Sequence, residues 1–315
     1  MNHNLPYLKY LPGDRDVPDH EPQVITAVPF VQIDPRQKLH LEGLNFDRNR
    51  DMFLCNIYES AIMKVDMQTK EVSKFYEFED KRFKPCAVKF HKDGRMFVAG
   101  LDTTRADGEN HGGIYALDPD GTNLQPIIEG WTVDDLVFDS QGGIYFTNYI
   151  GSPYHPDGSI EYIAPDGTQT TVVAGLASPN GVTLSTDEKI LWFTETNRGL
   201  LHRYPIGDEA HATTPYKFEG FLGPDSCSVD EDDNLYVAMA RQGKVFVFNK
   251  MGFLIAKILS PGIKDGELLG TTHPIVHPDR PELYITIHDD KGNNGANVFC
   301  CGAFACGNKR YFQYQ

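Results

Sequence analysis

Six segments of this chain fit one template: EGLNFD (42–47), CAVKFH (86–91), DDLVFD (134–139), NGVTLS (180–185), DSCSVD (225–230) and THPIVH (272–277). Each leads into a turn, and each turn into a second apolar run: MFLCN, MFVAG, IYFTN, LWFTE, LYVAM and LYITI. The starting residues are spaced by 44, 48, 46, 45 and 47. A period in this range, filled by short strands, is the mark of a blade array. Each unit reads as four strands, and the first unit gives 43–47, 52–56, 61–66 and 71–77. The Asp-Gly pairs of DPDGTN (118–123) and APDGTQ (164–169) supply the positive φ that tight hairpins need. The pattern predicts an all-β, six-bladed β-propeller with four-stranded blades and a central metal site.

The 315 residues would allow two domains, but a repeat array has no internal boundary. The expected organisation is therefore an N-terminal arm over 1–22 and a single propeller domain over 23–315. Residues 23–33 read as a strand, with Pro29 favouring an edge position. That strand is expected to pair with the last blade, whose other strands fall at 274–277, 283–288, 297–303 and 310–314.

In a propeller the first strand of each blade lines the channel, so equivalent residues share one height around the axis. The first template position holds Glu42, Cys86, Asp134, Asn180, Asp225 and Thr272. Three carboxylates meeting there would repel, and one would take up a proton unless a cation intervened. Oxygen donors without His or Cys favour a hard ion, Ca²⁺ or Mg²⁺. Ca²⁺ takes about six to eight oxygens, which leaves places for water and substrate. The metal reading is thus Glu42, Asp134, Asn180 and Asp225, with one carboxylate remaining able to act as a base.

Other residues are candidates for the surrounding pocket. Asn56, Asn148 and Glu195 end second strands at the same rim, and Tyr149 follows one of them. His288 and His111 lie beside rim loops. His273 follows a ring position, where strict alternation would turn it from the axis unless the strand begins irregularly. Substrate identity is assigned to the loops 101–113, 149–158 and 289–296. No GxSxG, HExxH or P-loop pattern is present.

The net charge of −15 argues against a nucleic-acid partner. No run approaches the ~18 apolar residues of a membrane span, and the first residues lack a signal-peptide core. Six cysteines in this length are too sparse for a disulfide scaffold. The expectation is a cytoplasmic protein acting on a small molecule, with no membrane and no nucleic-acid partner. Its oligomeric state is not legible.

LEGLNFDR, HKDGRMFV, DDLVFDSQGG, STDEK, GPDSC and DDNLYVAM resemble the senescence-marker-protein/gluconolactonase family, and within it the bacterial drug-responsive, calcium-dependent lactonases. The resemblance runs from about residue 22 to the C-terminus. It implies that Glu42, Asp134, Asn180 and Asp225 hold a catalytic calcium, that Ser226 adds a contact, and that Asp225 is the catalytic acid/base. It implies hydrolysis of a lactone or related ester. A phosphotriester hydrolase of the diisopropyl fluorophosphatase type and a non-catalytic ligand-binding propeller are the alternatives. The resemblance also implies a second, structural calcium, held by the loop before GGI and an aspartate after IIE. Here the loop reads Asn110-His111-Gly112-Gly113 and Gly130 stands at the aspartate's place, so the residues implied for a second ion are incomplete and the sequence leaves that ion open.

Overall fold

The computed structural model describes residues 5–309 except 37–39, 103, 106, 221 and 290–293. Its elements are strands, with three single-turn 3-10 helices among the described residues. The strands form antiparallel meanders of a propeller-like, all-β fold. The described residues divide into two compact units, one lying within the bounds 1–39 and 183–308 and the other within 40–182 and 309–315.

In the second unit Leu41–Phe46, Met52–Asn56, Ala61–Val65 and Val72–Glu77 pair in sequence order. Lys84–Phe90, Met96–Leu101, Gly113–Leu117 and Gln125–Glu129 do the same. A single parallel pair, Gly43 with Ala87, joins these two meanders into one eight-stranded sheet. Gly43 has a φ of 59°, and a Cβ there would lie 2.6 Å from the Ala87 Cα. A glycine is therefore what lets the two inner strands touch. Val133–Phe138, Ile144–Asn148, Gly158–Ile163 and Gln169–Leu176 make a further sheet. Apolar residues of the first two meanders and of the connection between them pack Phe53, Phe78, Phe83 and Phe90 into one core cluster, and Phe97, Leu136 and Phe146 belong to another.

The division between the units falls inside Pro179–Leu184, which leads the sheet continued by Ile190–Glu195, Leu200–Pro205 and Thr213–Lys217. In the first unit Pro224–Val229, Leu235–Met239, Lys244–Phe248 and Leu254–Leu259 form the next meander, and Gly270–Val276, Glu282–His288 and Ala296–Gly302 the last. The segment expected to pair with the last meander is split. Val28–Asp34 is that meander's outer, antiparallel fourth strand, with Pro29 on the edge. Gln23–Thr26 instead adds parallel to Leu254–Leu259. The expected strand at 310–314 lies outside the described residues, and Val28–Asp34 holds the fourth place.

The stretch before residue 23 packs onto the first unit. Leu5, Leu8 and Asp14 are buried. The Pro6 carbonyl accepts from the Gly302 amide at 2.7 Å, and the Asn249 amide donates to the Asp14 and Asp16 carbonyls at 2.8 Å each. Tyr10 stacks on Phe304 at 4.7 Å and donates to Asp232 at 2.8 Å. The absence of sequence periodicity in this stretch reflects such single-residue contacts, which need no repeat.

Candidate metal centre

Glu42, Asp134 and Asn180 each stand second in the strand that opens a meander, and all three are buried. Glu42 lies across from Cys55, and its Oε1 is 3.0 Å from the His40 Nε2. Burial pushes the Cys55 thiol well above its usual range; the Glu42 charge adds to this, as do Asp135 and Asp134, while Lys89 opposes. Glu42, Asp134 and Asp135 therefore act on one buried point of the second unit. The Asn180 Oδ1 is buried without a hydrogen-bond partner. A buried amide oxygen left in that state costs free energy unless a ligand or ion takes it.

The strand start is irregular, which decides what can face inward. The register slips between Glu42 and Asn45, between Val133 and Leu136, between Pro224 and Cys227, and between Thr271 and Pro274. A bulge suspends alternation for that stretch. Asp134 and its neighbour Asp135 are consequently both buried. Two of the bulges are pinned by a threonine of the following strand. Thr147 Oγ1 accepts from the Asp135 amide at 3.0 Å, and Thr286 Oγ1 from the His273 amide at 2.9 Å.

Asp135 and Lys89 were not singled out from the sequence. Their Nζ–Oδ1 distance is 3.1 Å and their side chains are 6% and 0% exposed, so this is an interior ion pair. Asp135 also accepts from the amides of Leu136 at 2.8 Å and Val182 at 3.3 Å. Burial pushes its carboxyl above the ordinary range, although Lys89 pulls it down. The available signal was a charge inside an otherwise apolar segment, CAVKFH and DDLVFD.

In the first unit Asp225 is buried and second in its strand. Its Oδ1 accepts from the Ser226 amide at 3.1 Å, and its carbonyl accepts from Thr194 Oγ1 at 2.8 Å. The Ser226 Oγ is buried without a hydrogen-bond partner. His273 is fully buried within the irregular start of Gly270–Val276. His288 is also buried, and a Cβ on Gly270 would sit 2.3 Å from its Nε2, so the imidazole lies against bare backbone.

The remaining pocket candidates divide. Asn56 is buried and its Oδ1 accepts from the Glu59 amide at 3.3 Å, closing the turn after its strand. Glu195 is buried with Oε1 3.0 Å from Arg198 and Oε2 2.8 Å from His202, whose ring stacks on Phe193 at 4.6 Å. This carboxylate organises its own strand end. Asn148 and Tyr149 are half-buried, and the Tyr149 amide donates to the Thr132 carbonyl at 2.7 Å. His111 lies 2.9 Å from Asp107 and 3.4 Å from Asp80, within a surface ion-pair cluster.

Among the described residues no group of three or more His, Cys, Asp or Glu side chains is assembled as a metal cage on its own. The second unit offers a buried amide oxygen, Asn180 Oδ1, and the first unit a buried hydroxyl, Ser226 Oγ, and each is an oxygen of the kind a hard cation takes. In the second unit the buried Glu42, Asp134 and Asp135 carboxylates also outnumber the one buried ammonium among the described residues, that of Lys89. The donor chemistry fits a calcium-type ion.

Strands grouped in meanders, four of them with a buried Glu, Asp or Asn second in the opening strand, define a propeller-like protein of a known class. Residues 128–289 match the SMP-30/Gluconolactonase/LRE-like region, and the chain belongs to that family. It is 43% identical to the lactonase drp35 of Staphylococcus aureus (strain MW2) over 310 residues, covering 95% of this chain and 93% of that protein. The lactonase drp35 of Staphylococcus haemolyticus is 42% identical over 331 residues, covering 100% and 99%. Among solved structures, a calcium-binding regucalcin from Agrobacterium tumefaciens superposes with a TM-score of 0.72 at 21% identity, covering 91% and 97%. A gluconolactonase from Xanthomonas campestris gives 0.65 at 16% identity, covering 89% and 95%. The two structures bear on the fold. Among the described residues no helix is long and apolar enough to cross a membrane.

Proposed function

We propose that this protein is a calcium-dependent lactonase built as a single six-bladed domain over 23–315, with 1–22 as an arm. The blade count takes the eight-stranded sheet as two blades, since among the described residues a single backbone strand pair links its halves. The observation that carries the activity is the 43% identity to a lactonase across nearly the whole chain. The ion would be held by Glu42, Asp134, Asn180 and Asp225, with Ser226 adding a hydroxyl. Bound there, it would supply a Lewis acid for the lactone carbonyl and its developing oxyanion.

The chain's own residues do the rest. Water adds to the acyl carbon, the ring C–O bond breaks, and a hydroxy acid is released with one proton. Asp225 takes the proton from water, or attacks the carbonyl directly, and its hydrogen bond from the Ser226 amide fixes the carboxylate plane. Burial of Asp225 lowers the dielectric around it, which strengthens each of these interactions. His273, His288, Asn148 and Tyr149 are assigned to the pocket wall. A cytoplasmic setting is part of the same proposal; it rests on the sparse cysteine content, six in 315 residues.

Removing the amide oxygen in Asn180→Ala is expected to lower metal content in purified protein, read by elemental analysis. Chelation of the wild type is expected to lower the melting temperature along with lactone turnover, because an ion bound only by the native state stabilises it. Full metal content in the variant would count against the site. A lactone panel read by acid release, with phosphotriesters beside it, assigns the reaction. Turnover of phosphotriesters alone would favour the phosphotriester-hydrolase alternative, and metal binding without any turnover would favour a binding propeller.

A further inference from the structure

The loop from Asp102 to Gly113 is tied together and tied to its neighbour by side chains. Asp102 is buried, and its Oδ1 accepts from the Thr104 amide at 2.8 Å, the Thr104 hydroxyl at 2.8 Å and the Arg105 amide at 3.1 Å. Its Oδ2 accepts from the His111 amide at 3.3 Å. Burial works against ionisation, but these donors outweigh it and hold the carboxyl down at about 2. The Asn110 Nδ2 donates to the Gly130 carbonyl at 3.1 Å and to Thr132 Oγ1 at 3.2 Å, while its Oδ1 accepts from the Gly112 amide at 3.0 Å. Arg105 donates to the same Thr132 hydroxyl at 3.2 Å. The Gly112 carbonyl accepts from the Gly130 amide at 3.0 Å. This packing is close, since a Cβ on Gly112 would lie 2.3 Å from the Trp131 carbonyl.

We infer that Asp102, Arg105 and Asn110 with Thr132 and Gly130 form a protein-made clasp that replaces a structural ion in this loop, so that the chain takes up one calcium and not two. The inference rests on the calcium reading above and adds to it that the rim loop keeps its shape without metal. The Asp102 carboxylate, the Asn110 and Thr132 side-chain oxygens and the Gly112 and Gly130 carbonyls already accept hydrogen bonds. Gly130 brings no side-chain oxygen, although a Cβ there would meet nothing within 4 Å. A divalent ion would have to displace several short hydrogen bonds and sit beside the Arg105 guanidinium, a like charge. The clasp gives the loop the cross-link without that repulsion.

Two measurements on the full chain test this. Calcium stoichiometry by equilibrium dialysis is expected to be one. Amide hydrogen exchange across 102–113 is expected to be the same with calcium and with chelator. It should quicken by at least about fivefold, with or without calcium, in Asn110→Ala and in Thr132→Val, since each removes two or three side-chain hydrogen bonds and the net loss of even one predicts that factor. Two bound ions, or loop protection lost in chelator, would overturn the clasp. Exchange unchanged by both substitutions would overturn it too. No bound calcium, with a loop that is insensitive to chelator and loosened by the substitutions, would instead remove the calcium reading and leave the clasp standing.

Discussion

Asp225→Asn is expected to lower lactone turnover by about 10²-fold or more even at saturating calcium. The substitution keeps the side-chain shape and an oxygen that accepts from the Ser226 amide, as Oδ1 does at 3.1 Å. It removes the charge and the proton acceptor. If Asp225 served only to hold the ion, raising calcium would restore most of the rate by mass action. Asn180→Asp is the comparison, because it adds a carboxylate where an amide oxygen stands and supplies no missing base. It should tighten calcium binding without deepening any catalytic loss. The measurement is turnover against calcium concentration for both variants. Near-normal turnover of Asp225→Asn at high calcium would take the catalytic role from Asp225.

Lys89→Met is expected to destabilise the fold by about 3–5 kcal/mol, since it leaves the buried Asp135 charge uncompensated. Met conserves most of the volume, so the effect reports the charge and not a cavity. Adding Asp135→Leu should recover most of the loss, because removing both members of a buried pair is often nearly neutral. The pH dependence has a defined sign. The Asp135 carboxyl is raised in the native state, so the folded protein binds its proton more tightly than the unfolded chain. The penalty therefore exists above the folded value and disappears below the ordinary carboxylate value of about 4. Without Lys89 the carboxyl rises further, and the defect of the single variant should shrink as the pH is lowered. Urea denaturation at several pH values reads this. A single variant as stable as wild type at neutral pH would show that the pair carries no net charge requirement.

The strands of the first meander were legible to within a residue or two, because apolar alternation and turn residues are local signals. The split of residues 23–34 between two sheets was not. Both halves carry the same strand pattern, and partner choice depends on which edge lies nearby. The candidate ion ligands were legible as equivalent template positions, and the structure places each of them second in its strand. Glu195 had the same rim signature as Asn148, yet its carboxylate is bound by Arg198 and His202, of which the second is seven residues away on the next strand.

By itself the sequence determined the repeat, the strand pattern within each repeat, and the residue type at each equivalent position. These follow from periodicity and side-chain chemistry, which act over a few residues. Only the tertiary structure decided that Asp135 meets Lys89 in the interior, and that Asn180 Oδ1 is buried without a donor. It alone decided that Asn110 and Arg105 reach Thr132 across the sheet edge. The ion pair and the Thr132 contacts join residues far apart in the chain, and burial of the Asn180 oxygen depends on everything packed around it. Bulges at the strand starts set which side chains turn inward, and a bulge is fixed by the register of two strands together, not by either alone.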